Sequence, residues 1–159
     1  MNTINAITMY LIFTSIVFSQ TELDYFLSTD FSLNDCKTKF AGRIQDEVSY
    51  LSESTLTISP IDFFGDAMID VQFIDGEMSY FATGKENESV EAKNKYLNYF
   101  VDHFGEYDNY IEADTPAGNK FSSYETYSWD INEKYDFGMT ISYYADSDKM
   151  SILCGLTKK

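Results

Sequence analysis

Met68-Ile69-Asp70-Val71-Gln72-Phe73-Ile74-Asp75-Gly76-Glu77-Met78-Ser79-Tyr80 is the stretch on which the fold turns. From Ala67 to Ile74, apolar Ile69, Val71 and Phe73 alternate with polar Asp70 and Gln72, the period of two that a strand with one buried face imposes. Asp75-Gly76 then reads as a hairpin turn, because glycine takes the positive φ that a tight connection needs. Glu77 to Ala82 returns as the partner strand, with Met78 and Tyr80 expected on one face.

The same pattern recurs at a spacing of about 70 residues. Met139-Thr140-Ile141-Ser142-Tyr143-Tyr144, a turn at Asp146-Ser147-Asp148 and Met150-Ser151-Ile152 echo the first hairpin, and each copy follows a helix that ends in glycine. Ser32-Leu33-Asn34-Asp35 starts the first helix as a capping pair, and Leu33, Cys36 and Phe40 share one face before Gly42 ends it. Ser89 caps the second helix, Val90 to Phe104. Its expected apolar stripe is Leu97, Phe100, Val101 and Phe104, with Lys93, Lys95, Asn98 and Asp102 away from it and Gly105 as the stop.

Working outward, Thr55 to Ser59 is a strand that Pro60 should interrupt, and Gly84 to Glu88 reads as a polar loop. Phe121 to Ile131 carries Tyr127, Trp129 and Ile131 on one side; Phe137 to Tyr144 and Lys149 to Leu156 follow, the last burying Met150, Ile152 and Cys154. These elements predict an α+β domain. Two helix-plus-antiparallel-strand units, at 30–83 and 88–156, form one sheet with the helices on one face and the other face open.

That element order, with its Tyr-rich and acidic character, resembles the tandem-repeat architecture of secreted β-lactamase inhibitor proteins and of small SmpA-type outer-membrane assembly lipoproteins. The resemblance implies an open sheet face that binds another molecule, and it carries over no individual residue. The chain departs from the lipoprotein pattern in having no cysteine after its first apolar run, and from the inhibitor pattern in having only two cysteines.

Met1 to Asn5 is polar, Ala6 to Phe18 is apolar, and Val17 and Ser19 are the small residues expected before a cleavage near Gln20. Residues 1–19 are therefore read as a signal peptide and 20–159 as a single secreted or periplasmic domain. The apolar run is shorter than the roughly 20 residues that a membrane span requires, so no membrane insertion of the mature chain is expected.

Twenty-six acidic residues against 11 basic ones leave a net charge of −15, and Arg43 is the only arginine. Nucleic acid is excluded as a partner, because neutralising phosphates takes clustered Lys and Arg. A basic protein partner suits this charge, and self-repulsion favours a monomer. Cys36 and Cys154 are both expected to point inward and to form a disulfide, two buried free thiols being the alternative. In the chain-entropy picture a bridge across a loop of more than about 100 residues stabilises by roughly 4 to 5 kcal/mol.

Catalytic chemistry finds little support in the residues. His103 is the only histidine and sits beside the expected helix stripe, and no Gly-x-Ser-x-Gly turn accompanies a serine. No metal and no cofactor is called for, since the acids near the hairpin turns lack an EF-hand spacing. Asn87-Glu88-Ser89 fits the N-glycosylation triplet of a eukaryotic secreted protein. The positions expected on the open face, Asp70, Gln72, Tyr124, Thr126, Asp130, Thr140 and Tyr144, combine tyrosine with small hydroxyl and acidic groups, the chemistry of adaptable protein interfaces. The expected function is non-enzymatic protein binding through that face. A carboxylate-dependent enzyme acting on a glycan and a carrier of a small apolar ligand are the alternatives.

Overall fold

Why the sheet has two unlike faces follows from its cross-strand rows. A computed structural model describes residues 22–29 and 31–159. The expected leader lies outside the described residues, as does Asp30. Helices α1 (Leu23–Leu27) and α2 (Leu33–Lys39) precede β1 (Ile44–Tyr50), β2 (Glu53–Asp62), β3 (Asp66–Ile74) and β4 (Glu77–Ser89). A 3-10 turn (Val90–Ala92) and helix α3 (Lys93–Phe104) precede β5 (Asn109–Asp114), β6 (Phe121–Asp130), β7 (Tyr135–Tyr144) and β8 (Lys149–Lys158). The strands form one open antiparallel sheet in the order β1-β2-β3-β4-β8-β7-β6-β5.

Leu56, Val71, Phe81, Leu156, Phe137 and Trp129 face one another across successive strands and are all buried. Ile58, Ile69, Thr83, Cys154, Met139 and Tyr127 make the next buried row. All three helices pack on this inward face. Phe26 of α1 stacks on Phe40 at 5.1 Å and meets Phe81 at 6.0 Å; Phe100 of α3 lies 4.5 Å from Phe137 and 6.1 Å from Trp129. No helix among the described residues is long and apolar enough to cross a membrane.

The two halves meet at β4 and β8, and glycine shapes this seam. A Cβ on Gly84 would lie 2.4 Å from the Ile152 carbonyl oxygen, and one on Gly155 2.4 Å from that of Phe81. Each strand thus presents a glycine where the other's backbone comes close. At the lower end of the sheet, where the β3–β4 and β6–β7 turns lie, the Tyr135 hydroxyl donates to the Met78 carbonyl at 2.8 Å. At the upper end, where α3 begins, the Val90 N–H donates to Asp148 O.

The capping pair forms as expected: Ser32 Oγ accepts from the Asp35 N–H while Asp35 accepts from the Ser32 N–H. Several expectations need correction. Met78 and Tyr80 do not share a face, because the β3–β4 register shifts between Gln72 and Phe73; Met78 and Ser79 are both buried and Tyr80 turns outward. Pro60 does not end β2, whose register with β3 shifts between Ile58 and Ile61 and so accommodates the missing N–H. Gly84 to Glu88 is strand, held against β8.

On α3 the fully buried residues are Tyr96 and Phe100, with Leu97, Val101 and Phe104 partly buried, and Lys93 extends the inward line at i, i+3, i+7 instead of pointing away. Cys36 and Cys154 are buried free thiols, not a bridge. Cys36 lies in α2 against Tyr25 of α1, whereas Cys154 lies in β8 opposite Thr83 and Met139 and beside Tyr96 of α3. Burial pushes the Cys36 thiol up to about 12 and Cys154 further still, which leaves both inert as nucleophiles at neutral pH.

Candidate functional site

Because every helix among the described residues packs on the inward face, none of them lies on the outward one, whose surface follows from strand alternation. Asp70 and Gln72 project there from β3, Tyr124, Thr126 and Asp130 from β6, and Thr140 and Tyr144 from β7. They form separate groups. Four strand spacings, about 19 Å, separate β3 from β6.

Thr126 and Thr140 are opposite each other and share a hydrogen bond of 3.1 Å, with Tyr124 one step up β6 opposite Ser142. Asp70 is tied to Thr57 Oγ1, which donates to it at 2.7 Å. Tyr80 stands near Asp70, and burial first, then that carboxylate, raises its hydroxyl pKa. Tyr144 belongs to the upper rim, where its ring lies 4.9 Å from Phe121 and the Lys120 ammonium stands over both.

Asp130 lies at the lower end, opposite Asp136. Lys159 bridges these two carboxylates, at 2.5 Å to Asp130 and 3.2 Å to Asp136, and also donates to the Asn132 carbonyl at 2.7 Å. The first of these hydrogen bonds is the main cause of the raised Lys159 pKa. A shallow depression of about 440 Å³ opens beside the pair, lined by Asn109, Ser128, Gly138 and Thr157. Its floor is low because Ala82, Gly155, Gly138 and Ser128 succeed one another across four strands.

Several exposed apolar side chains on this face, Val48 and Ile74 among them, were absent from the sequence-based set. Met68 of β3, Leu153 of β8 and Ile111 of β5 are 53%, 57% and 56% exposed. Leu153, Thr140, Thr126 and Ile111 follow one another across β8, β7, β6 and β5, and Leu153 also pairs with Gly84. Their signal was present in the sequence: Met68-Ile69 and Ile152-Leu153 put apolar residues on both faces of a strand, which a purely solvated outer face would not keep.

Two other places carry polar chemistry. On the inward side Glu125 is only 8% exposed, and Lys93 donates to it at 2.5 Å, Tyr127 at 2.5 Å and Tyr143 at 2.8 Å. Burial pushes its carboxyl pKa up, but these three donors outweigh that and hold it below the usual range. Burial and the Glu125 hydrogen bond push Tyr143 up to about 12. A general acid needs the opposite displacement, so Glu125 does not suit that role, and the cluster anchors α3 to β6. At the lower end, an open groove of about 770 Å³ runs between Phe31, Ser32, Met78 and Tyr135, with Glu133 and Lys134 on its rim. Among the described residues no group of His, Cys, Asp and Glu is arranged to hold a metal. His103 is exposed, its ring 4.7 Å from Phe104.

Comparison with protein-family models, with curated proteins and with solved structures returns no match to this chain.

Proposed function

We propose that this chain is an exported, non-enzymatic domain that binds a basic protein partner on the outward face of its sheet, as an inhibitor, an immunity factor or an envelope accessory. The observation that carries the reading is the uncovered band in which exposed Met68, Leu153 and Ile111 stand among Thr126, Thr140 and Tyr124. Apolar side chains interspersed with hydroxyls and a tyrosine, on a face that no helix among the described residues covers, are the composition of a protein interface. A net charge of −15 and the outward Asp70, Asp130 and Asp136 steer a basic partner toward it. On this reading the two halves are copies of one helix-plus-strands unit, and their joining produces a face wide enough for a partner.

The test is capture from the source's own extracellular or envelope fluid by immobilised full-length protein, eluted with salt. Leu153→Asp combined with Ile111→Asp should weaken retention of the captured protein at least about tenfold, or about 1.4 kcal/mol. Both sites are exposed, so the thermal midpoint should hold. Lys134→Ala, on the lower groove, should change nothing. Equal retention by the double variant removes the outward face from consideration, and a loss confined to Lys134→Ala moves the site to the lower groove.

A further inference from the structure

Asn87-Glu88-Ser89 is the only Asn-x-Ser/Thr triplet in the chain, and its position in the sheet is unusual. It lies near the upper end of β4, where the pairing with β8 passes from Lys85–Ile152 directly to Glu88–Met150. Three steps along β4 match two along β8, so β4 carries one surplus residue, a bulge. Asn87 has φ 60, in the left-handed region that asparagine enters more readily than other residues with a side chain. It is exposed, and its side chain makes no hydrogen bond among the described residues. A residue inside the regular ladder would be held by both neighbouring strands. Above Thr83, β4 pairs with β8 alone, and Asn87 has no partner residue there.

The third residue of the triplet is also free to act. Ser89 is exposed, and its Oγ accepts only a long 3.3 Å hydrogen bond from the Glu91 N–H, which leaves the hydroxyl proton available. We propose that Asn87 is an N-glycan acceptor, the donor being a lipid-diphosphate-linked oligosaccharide of a eukaryotic secretory pathway. The Asn87 Nδ2 attacks C1 of the reducing-end sugar, the one joined to the diphosphate; the C1–O bond to the diphosphate breaks, the C1–Nδ2 bond forms, and the lipid diphosphate leaves with the electron pair while the amide gives up one proton. The inference rests on the export reading and adds a covalent modification to it.

The position of the glycan follows from the strand geometry. Asn87 is five residues up β4 from Ala82, which lies in the low row with Gly155 and Gly138, a rise of about 17 Å. The Glu86–Lys120 pair marks the same upper rim. A sugar chain there stands at the opposite end from Asp130 and Asp136 and leaves the lower half of the outward face open.

The full chain is translated with endoplasmic-reticulum microsomes, once with its own N-terminus and once behind an added surrogate leader. The expected result is one endoglycosidase-sensitive, protease-protected species, with Asn87 converted to Asp when the glycan is removed. Asn87→Gly and Ser89→Ala should abolish it and Ser89→Thr should keep it. Asn87→Gly relieves the positive φ, so its loss of signal is not misfolding, and Ser89→Thr keeps the helix cap. A protected but unmodified chain under both leaders overturns the proposal. Modification behind the surrogate leader with no protection behind the native N-terminus supports Asn87 as acceptor and sinks the export reading, whereas protection behind the native N-terminus with modification behind neither leader leaves export standing and sinks Asn87.

Discussion

The two halves of the sheet tie the start of a helix to the strands by opposite means. In the first, Glu22 at the start of α1 takes a bidentate pair of hydrogen bonds from Arg43, at 2.8 and 2.7 Å, with both side chains 32% exposed. In the second, Lys93 opens α3 and reaches Glu125, whose side chain is 11% exposed and is held by two tyrosines as well. Glutamate at a helix start agrees with the helix dipole; lysine there opposes it. Lys93 therefore depends on its carboxylate partner, while the first half has a clamp that its helix already favours. Burial, not distance, separates the two.

If the halves are cooperative through the seam, damage to either core is felt in both. Phe100→Ala removes the ring between Phe137, Trp129 and Phe104 and should cost about 4 kcal/mol, with a similar figure for Phe26→Ala. The buried thiols report each half separately, because neither reacts until its surroundings open. In Phe100→Ala, equal acceleration of Cys36 and Cys154 alkylation shows one cooperative unit. Selective exposure of Cys154 would show that the halves open apart.

Glu125→Gln comes next. It leaves the Lys93 ammonium half-buried without its counter-charge, and chemical denaturation should show a loss of about 3 kcal/mol. A loss below about 1 kcal/mol would place this cluster among ordinary surface pairs. Gly155→Ala tests the seam: its Cβ would press on the Phe81 carbonyl, and a loss of about 2 kcal/mol is expected. A neutral result would mean that the β4–β8 backbones relax freely and that the seam is not rigid.

The central strands were legible because each has one buried face. Ile69 and Val71, Tyr127 and Trp129, and Met150, Ile152 and Cys154 alternate with outward residues, and burial follows that alternation. The two edge strands were not legible. β1 and β5 are exposed along almost their whole length, so Gln45-Asp46-Glu47-Val48 and Asn109-Tyr110-Ile111-Glu112 carry no hydrophobic period to read. Bulges hid the rest: one surplus residue moves Tyr80 to the other face, and no local pattern announces it. Which face Asp70, Thr126 and Thr140 occupy needs only the alternation along each strand. The separation of the outward residues into four groups depends on strand order and on position along the strands, and Lys93 as the partner of Glu125 on a tertiary contact between residues 32 apart.

The smallest effect sharpens the comparison most. Glu22→Gln should cost about 1 kcal/mol at neutral pH, because water already screens the clamp it breaks. Both carboxyls titrate low in the folded protein, Glu22 chiefly through the Arg43 hydrogen bond and Glu125 through donors that overcome its burial. A depressed folded pKa contributes stability that is complete above the unfolded glutamate value of about 4.3 and is lost as pH falls through the folded value. Denaturant titrations at successive pH values from neutrality to about pH 3 should therefore show wild type weakening with acid, Glu22→Gln weakening slightly less, and Glu125→Gln least of all. The order matters more than the sizes. If Glu22→Gln flattens the acid limb as much as Glu125→Gln does, the exposed arginine clamp is worth as much as the buried cluster, and burial is not what distinguishes the two halves.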